Sequence, residues 1–347
     1  MNQQQLNNAF TLFLSLLVEA MPFLLLGVLF SGLLLLFVDE RQLIARLPKN
    51  PLLGALVGSM VGLLFPVCEC GNVPVARRLL MKGVPAPVAI GFLLAAPTIN
   101  PIVIWATWTA FRDQPEIVVL RVVFSLAIAT VIGWVFSAQA DLRPLLQPPI
   151  AAALKTGLSQ PETKQLSAQP QAQTPELLRA GTYWLAQPGQ PVRMDATVLQ
   201  ARLAATPPTK PLPNRLRLLL DNTVQELREL GAILVLGSAI AAVIQVAVPR
   251  EVILSLGAGP VTSIMGMMLL AGLVSICSTV DSFFALSFAS TFTSGSLLAF
   301  LVFGPMIDLK GIGLMLSIFK PRAVIYLFTL AAQLTFLFTL FINLYVI

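Results

Sequence analysis

The sequence predicts an all-α polytopic membrane protein. It is read as two inverted repeats of about four membrane segments each, with broken helices or hairpins at the repeat interface. Three observations predict this. The 347 residues are 56% hydrophobic and only 11% charged, with a mean hydropathy of +0.84, whereas a soluble domain carries about 25% charged residues. Apolar runs long enough to cross a bilayer recur in both halves of the chain. Three sequence islands also repeat at a nearly constant offset. The run from Glu19 to Gly27 sets against Glu229 to Gly237, Cys68 against Cys277, and Phe92 to Asn100 against Phe300 to Asp308. The offsets are 210, 209 and 208 positions.

Taken in order, residues 9–38 form a first span whose one ionisable residue is Glu19, three before Pro22. Residues 39–50 are a loop holding Arg41, Arg46 and Lys49. Residues 51–65 are short and glycine-rich, and the spacing of Gly54, Gly58 and Gly62 admits close helix packing. Next comes a stretch with Cys68, Glu69, Cys70 and Asn72 set among Pro66, Gly71 and Pro74. Those breakers argue against a continuous helix. Non-helical backbone at membrane depth needs cover from protein or a water-filled cavity. Arg77, Arg78 and Lys82 close this stretch with a basic cluster. Residues 84–111 are apolar but interrupted by Pro97 and Pro101, and 117–137 form another span.

Residues 139–215 change character. Pro, Gln, Thr and Ala dominate, and no run is long enough to span, so this is a linker with room for a small soluble module at 181–203. Membrane sequence resumes at 216, with spans at 230–248, 252–276, 283–308 and 323–347. The domains are therefore 1–138, 139–215 and 216–347. The basic residues of 41–49, 77–82, the linker and 310–322 place those segments in the cytoplasm, with Arg250 as one exception. The linker then follows an odd number of crossings, and the second half enters the membrane inverted.

Composition excludes several classes of function. There is no His, so no His-based metal site exists and any proton relay rests on Asp or Glu. Three cysteines make no disulfide framework. Residues 1–18 hold no Lys or Arg and do not read as a signal peptide. No Walker A loop, nucleophile elbow or metalloprotease helix occurs, so no cofactor, resident metal or enzymatic activity is expected. The net charge of +6 reflects topology and contact with anionic lipid, not nucleic-acid binding. The expected partners are the lipid bilayer and a small-molecule substrate.

The residues that can carry chemistry cluster at the breaks. Cys68 and Cys70 would point about 200° apart on an α-helix, but face one way on extended backbone. Two thiolates on one side, matched by Cys277, bind soft species: trivalent arsenic or antimony, cuprous ion or sulfane sulfur. The plainer alternative is that each cysteine is a small buried hydrophobe. Ionisable side chains inside a membrane are functional candidates. Glu69 and Asp281 lie in the matched breaks, Glu19 in the first helix and Asp308 after Pro305; each is a proton carrier or cation ligand, or else an interface residue or helix cap. Asn72, Thr98, Asn100, Ser278 and Thr279 are the polar lining of a site or caps.

The block from Pro66 through Cys68, Glu69, Cys70, Gly71 and Asn72 to Pro74, the run Pro97-Thr98-Ile99-Asn100-Pro101, and Cys277 with Asp281 in the second half together resemble the predicted-permease family that includes the ArsP-type organoarsenical efflux permeases. The resemblance covers both membrane halves and not the linker. It implies a multi-pass permease of the inner (plasma) membrane, with Cys68 and Cys70 as ligands of a trivalent organoarsenical that is exported by alternating access. Two alternatives stand beside it: uptake of a sulfur anion or soft metal, and a membrane thiol oxidoreductase, although C-x-C is not the usual C-x-x-C redox motif.

The topology is open to a direct test. Protease should cut within residues 139–215 in inverted vesicles and leave that segment intact in spheroplasts. The opposite pattern would reverse the orientation.

Overall fold

The computed structural model of the chain describes residues 3–37, 47, 48, 50–65, 68–137, 143–148, 150, 212–247, 259–289 and 291–345. Among them are twelve α-helices, six in each half. The first half holds α1 (Gln3–Phe37), α2 (Pro51–Leu64), α3 (Glu69–Met81), α4 (Ala86–Ile99), α5 (Pro101–Ala110) and α6 (Pro115–Ser137). The second holds α7 (Leu212–Ala247), α8 (Pro260–Val274), α9 (Asp281–Leu286), α10 (Ser294–Met306), α11 (Leu309–Met315) and α12 (Pro321–Tyr345). Loops at 41–46, Lys49, Pro66, Arg250 and most of the 139–215 segment lie outside the described residues.

The two halves run through the same order of elements: a long helix, a short apolar one, a half-helix, a pair broken in the middle, and a closing span. The long helices have 35 and 36 residues and the closing ones 23 and 25. Among the described residues, six helical stretches are long and apolar enough to cross a membrane, and Pro51–Leu64 and Pro260–Val274 are shorter apolar helices. The protein is a multi-pass membrane protein. In the most apolar part of Ala86–Ala110 and of Ser294–Met315, 78% is buried, against 28% in Gln3–Leu33, Thr223–Val246 and Pro321–Tyr345. The broken stretches therefore form the centre and the long helices the lipid-facing wall.

Helix starts follow local chemistry. Proline opens α2, α5, α6, α8 and α12, where its missing N–H is an orphan in any case. Asn50, Asn100, Thr293 and Asp308 cap α2, α5, α10 and α11 with their side-chain oxygens. The break in 84–111 falls at Asn100, whose backbone is extended ahead of Pro101. Pro97 stays inside α4.

Two expectations need correction. The stretch around Cys68 is not broken throughout: Phe65 and Cys68 are extended, but a continuous helix runs from Glu69 to Met81 with Gly71 and Pro74 inside it. A proline in an early turn removes one hydrogen bond, here to the Cys70 carbonyl, and the helix tolerates that loss. Residues 283–308 are not one span but two pieces, α9 and α10, joined by turns.

Glycines set the packing of each half. A Cβ on Gly58 would strike the Val88 backbone, and one on Gly62 would lie 2.8 Å from the Ala96 nitrogen. The expected glycine face of α2 thus admits the backbone of α4 directly, and α6 packs on the same pair. Between the halves, α1 lies along α7. Ser31 bonds Glu226 at 3.2 Å, and Leu16 packs on Ala241 and Ala242. Fifteen residues back along α1 is fifteen forward along α7, so the two long helices run antiparallel.

Residues 145–147, within the 139–215 segment, are docked on the second half. Gln147 N donates to the Ile318 carbonyl at 2.9 Å, and Lys320 N to the Leu145 carbonyl at 2.8 Å. This holds residues 145–147 on the turn before α12.

Gly58→Leu should lower the melting temperature of the purified protein markedly, by the equivalent of about 1–3 kcal/mol of overpacking. Gly231→Ala, where nothing lies within 4 Å of the added carbon, should leave it unchanged. Equal stability of the two variants would contradict the packing described.

Candidate functional site

The site forms where the two halves present matching turns to each other. The Cys68 carbonyl accepts from Gly71 N at 3.0 Å and Asn72 N at 3.1 Å. The Cys277 carbonyl accepts from Val280 N at 2.9 Å and Asp281 N at 3.0 Å, in the same three- and four-residue pattern. Each cysteine thus stands at the entry of its own turn. Their sulfurs and a Glu69 carboxylate oxygen lie within 4.8 Å of one another, and all three residues are buried. Phe23, Asn100, Ile102, Ser278 and Thr279 complete a cavity with Cys68 and Cys277. Its volume of about 10 Å³ admits one water at most.

The polar residues divide by what they hold. Thr279 donates to the Cys277 sulfur at 3.6 Å. The Ser278 hydroxyl is buried without a partner. Asn100 accepts from Val103 N at 2.9 Å and donates to the Ala96 carbonyl at 3.2 Å, so it braces the break while facing the cavity. Asn72 donates to the Leu93 carbonyl at 2.6 Å. That carbonyl is the one that Pro97, four residues on, leaves without its helical donor. Thr98 donates to the Ala95 carbonyl at 2.8 Å, within its own helix and away from the cavity. Cys70 lies in the first turn of α3, fully buried beside Cys68, and does not line the cavity. Cys70 is helical and not extended, its thiol lies beside that of Cys68, and the thiol facing Cys68 across the cavity is Cys277.

The acids divide as well. Asp308 caps α11, accepting from Gly311 N at 2.6 Å, while its second oxygen is buried without a partner. Oxygens of Glu69 and Glu19 are likewise buried without partners. Asp281 stands apart from these three. Arg121, reaching from α6, donates to both of its oxygens at 3.2 and 2.9 Å, and also to Ser282 at 2.9 Å and Thr107 at 2.8 Å. One guanidinium thus ties α9 of the second half to α5 of the first.

Sequence reasoning missed four buried cations. Arg121 sits inside an apolar span and should have drawn notice on that ground alone. Lys310 was assigned to a cytoplasmic loop, yet it is 2% exposed on α11, which packs against α3. Arg77 and Arg78 were also read as a loop cluster, but both are buried on α3. Arg77 pairs with Glu229 at 3.3 Å, and Arg78 pairs with Glu226 while bonding Ser31 at 3.3 Å. Glu226 is buried in that pair.

Removing either member of the Arg121–Asp281 pair leaves a buried charge uncompensated, so Arg121→Met or Asp281→Asn should each cost about 3–5 kcal/mol. The double variant should recover most of that loss. A double-mutant cycle on melting temperature measures the difference, and simple additivity would count against the clamp.

Comparison with known proteins bears on what such a site serves. The UPF0718 protein YcgR of Bacillus subtilis (strain 168) is 37% identical over 325 residues, covering 94% of this chain and 92% of the relative. A protein of Streptococcus mutans described as a putative two-component membrane permease complex subunit is 32% identical over 314 residues, covering 90% and 88%. No solved structure matches. The family model described as a predicted permease matches residues 5–344. With that match spanning both halves and the facing turns between them, the chain belongs to the predicted-permease family of multi-pass membrane proteins.

Proposed function

We propose that the protein is a secondary transporter that exports a small thiophilic solute, such as a trivalent organoarsenical, across the plasma membrane by alternating access. The observation that carries this reading is the meeting of Cys68, Cys277 and Glu69 within 4.8 Å at the contact of the two halves. A trivalent arsenical R–As(OH)₂ exchanges its two hydroxides for two thiols and releases two waters. Arsenic stays trivalent, and the exchange leaves no proton to dispose of. A ligand pair split between two bodies holds the solute when they meet and releases it when they part.

The inverted-repeat architecture is part of this proposal. Under the sequence offset of 210, Leu16 matches Glu226 and Ser31 matches Ala241. The contacts of Leu16 with Ala241 and of Ser31 with Glu226 are therefore mates of each other under one two-fold operation. Matching helices that run antiparallel support an axis in the membrane plane, the arrangement used for alternating access. The cross-contacts agree: α3 touches α11, and α5 touches α9.

In this reading Cys68 and Cys277 hold the solute, with Cys70 as a third thiol beside Cys68. Thr279 and Ser278 orient and solvate the sulfur of Cys277, and Asn72, Thr98 and Asn100 maintain the breaks. Glu69, Asp308 and Glu19 are the coupling acids. Asp281 contributes through its pair with Arg121, by fixing α9 against α5.

Uptake of a trivalent phenylarsenical into inverted vesicles tests the reading. Cys68→Ser should remove nearly all of it and Cys277→Ser most of it, with Cys70→Ser costing less. Thermal-shift titration with the same compound should stabilise the parent and not the Cys68→Ser/Cys277→Ser double variant. Undiminished binding by that double variant would end the thiol hypothesis. Thiosulfate uptake that survives the same change would favour an anion carrier instead.

A further inference from the structure

The crossing of α1 with α7 has two ends that correspond under the sequence offset, and they differ in chemistry. At one end Leu16 packs on Ala241 and Ala242 in an apolar cluster. At the other, charge crosses between the halves. Arg78 of α3 pairs with Glu226 of α7, and Ser31 of α1 bonds both, at 3.3 and 3.2 Å. Arg77, beside it on α3, pairs with Glu229 at 3.3 Å. The repeat does not copy these pairs. The counterparts of Arg77, Arg78 and Glu226 are Leu286, Ser287 and Leu16.

This charged end lies to one side of the thiols, and their cavity lies to the other. Arg77 and Arg78 stand nine and ten residues beyond Cys68 along α3, about 14 Å at the helical rise. α1 runs beside α3 in the same direction, since Gly27 meets Gly71 and Ser31 meets Arg78. Phe23 of α1 is therefore displaced the other way, and it is Phe23 that lines the thiol cavity. No member of the charged cluster does.

The pairs are poised to part. Both arginines and Glu226 are buried, yet Arg77 Nε and Arg78 Nη1 have no hydrogen-bond partner. Water would satisfy them. The attraction within a buried ion pair barely offsets the desolvation of its members, so two incompletely bonded pairs stand near balance between a closed and a hydrated state. Glu229 is 40% exposed, which gives water its entry. Arg121, by contrast, spends four hydrogen bonds on Asp281, Ser282 and Thr107 at the other charged contact between the halves.

We propose that the Arg78–Glu226 and Arg77–Glu229 pairs, bridged by Ser31, are the cytoplasmic gate of the carrier. Solute on that side reaches Cys68 and Cys277 only when the pairs open, and the structure is the state closed to the cytoplasm. Breaking one pair strands a charge that only the hydrated, open state satisfies, so the population shifts toward that state. The inference rests on the transporter reading in taking the thiols as the place of the solute.

The test follows modification of Cys68 and Cys277 in the full-length protein by mass spectrometry. A membrane-impermeant methanethiosulfonate is applied to inverted vesicles or to spheroplasts. In the parent, reaction from the cytoplasmic face should be slow. Arg78→Gln and Glu226→Gln should each speed it about tenfold, as when a state populated to a few per cent becomes the major one. Neither should speed reaction from the opposite face. The exchange Arg78→Glu/Glu226→Arg should restore most of the protection. If the charge variants do not fold, Ser31→Ala, which removes only the bridging hydroxyl, should give a smaller increase confined to the same face. Equal increases from both faces would indicate loosened packing and overturn the proposal. So would unchanged rates in the folded variants. No solute enters the measurement, so its failure leaves the phenylarsenical uptake test standing, and failure of uptake leaves the sidedness of labelling to be read on its own.

Discussion

A helix that stops inside hydrocarbon exposes N–H and C=O groups that lipid cannot satisfy. This chain stops helices there in both halves, and the surrounding structure is organised around satisfying the ends. Asn100 and Asp308 cap the second pieces of the two broken stretches. Asn72 supplies a donor to the carbonyl that Pro97 strands. Ser275, in the left-handed region at φ 48°, accepts from Leu309 N at 3.0 Å and ties the end of α8 to the start of α11. A residue other than glycine persists in that conformation only where its surroundings hold it. The cost of broken backbone is thus offset locally by short polar side chains, and one of them, Asn100, lines the cavity of the thiols.

Burial of these polar groups requires close approach, and small residues provide it. Gly58, Gly62 and Gly91 let α2 and α4 touch backbone to backbone, and Gly27 does the same for α1 and α3. Dispersion and exclusion of lipid replace the hydrophobic effect as the source of helix association in a bilayer. A missing side chain is therefore worth more here than a large one. The scaffold is held by contacts with little freedom to adjust, and the polar centre inherits that precision.

Much of the architecture was legible in the sequence because its signals are local. Apolar run length marked the spans, the Gly54, Gly58 and Gly62 spacing marked a packing face, and the constant offset marked the repeated order of elements. The meeting of Cys68 with a matched break at Cys277 followed from that offset. The division of labour among the polar residues did not. Pro74 looked like a breaker, but its effect depends on its place in the turn and not on its presence. Lys310, Arg77 and Arg78 looked like loop charges because neighbouring sequence says nothing about a partner 148 residues away, the separation of Arg78 and Glu226. Thr98 looked like site lining, but its hydroxyl is satisfied by the carbonyl one turn back.

The matched positions of the two halves also show why the backbone repeats while the charges do not. Glu69 stands opposite Ser278 in the repeat, Asn72 opposite Asp281, and Asn100 opposite Asp308. At each pair one half carries an acid and the other a neutral hydrogen-bonding residue. Asn and Asp cap helices equally well, so the backbone breaks are satisfied in both halves. Acids at all six positions would double the buried negative charge without adding a cation, and uncompensated buried charge is among the most destabilising features a fold can hold. Alternating the acids keeps the count within reach of the available cations. Arg121 fully engages Asp281, whereas Glu69 and Asp308 each keep a buried oxygen without a partner. The two crossings, α5 with α9 and α3 with α11, consequently differ in kind. One is closed by a bidentate pair, and the other keeps carboxylate oxygens buried and unpaired beside the thiols. A shared backbone thus yields one fixed joint and one chemically open joint.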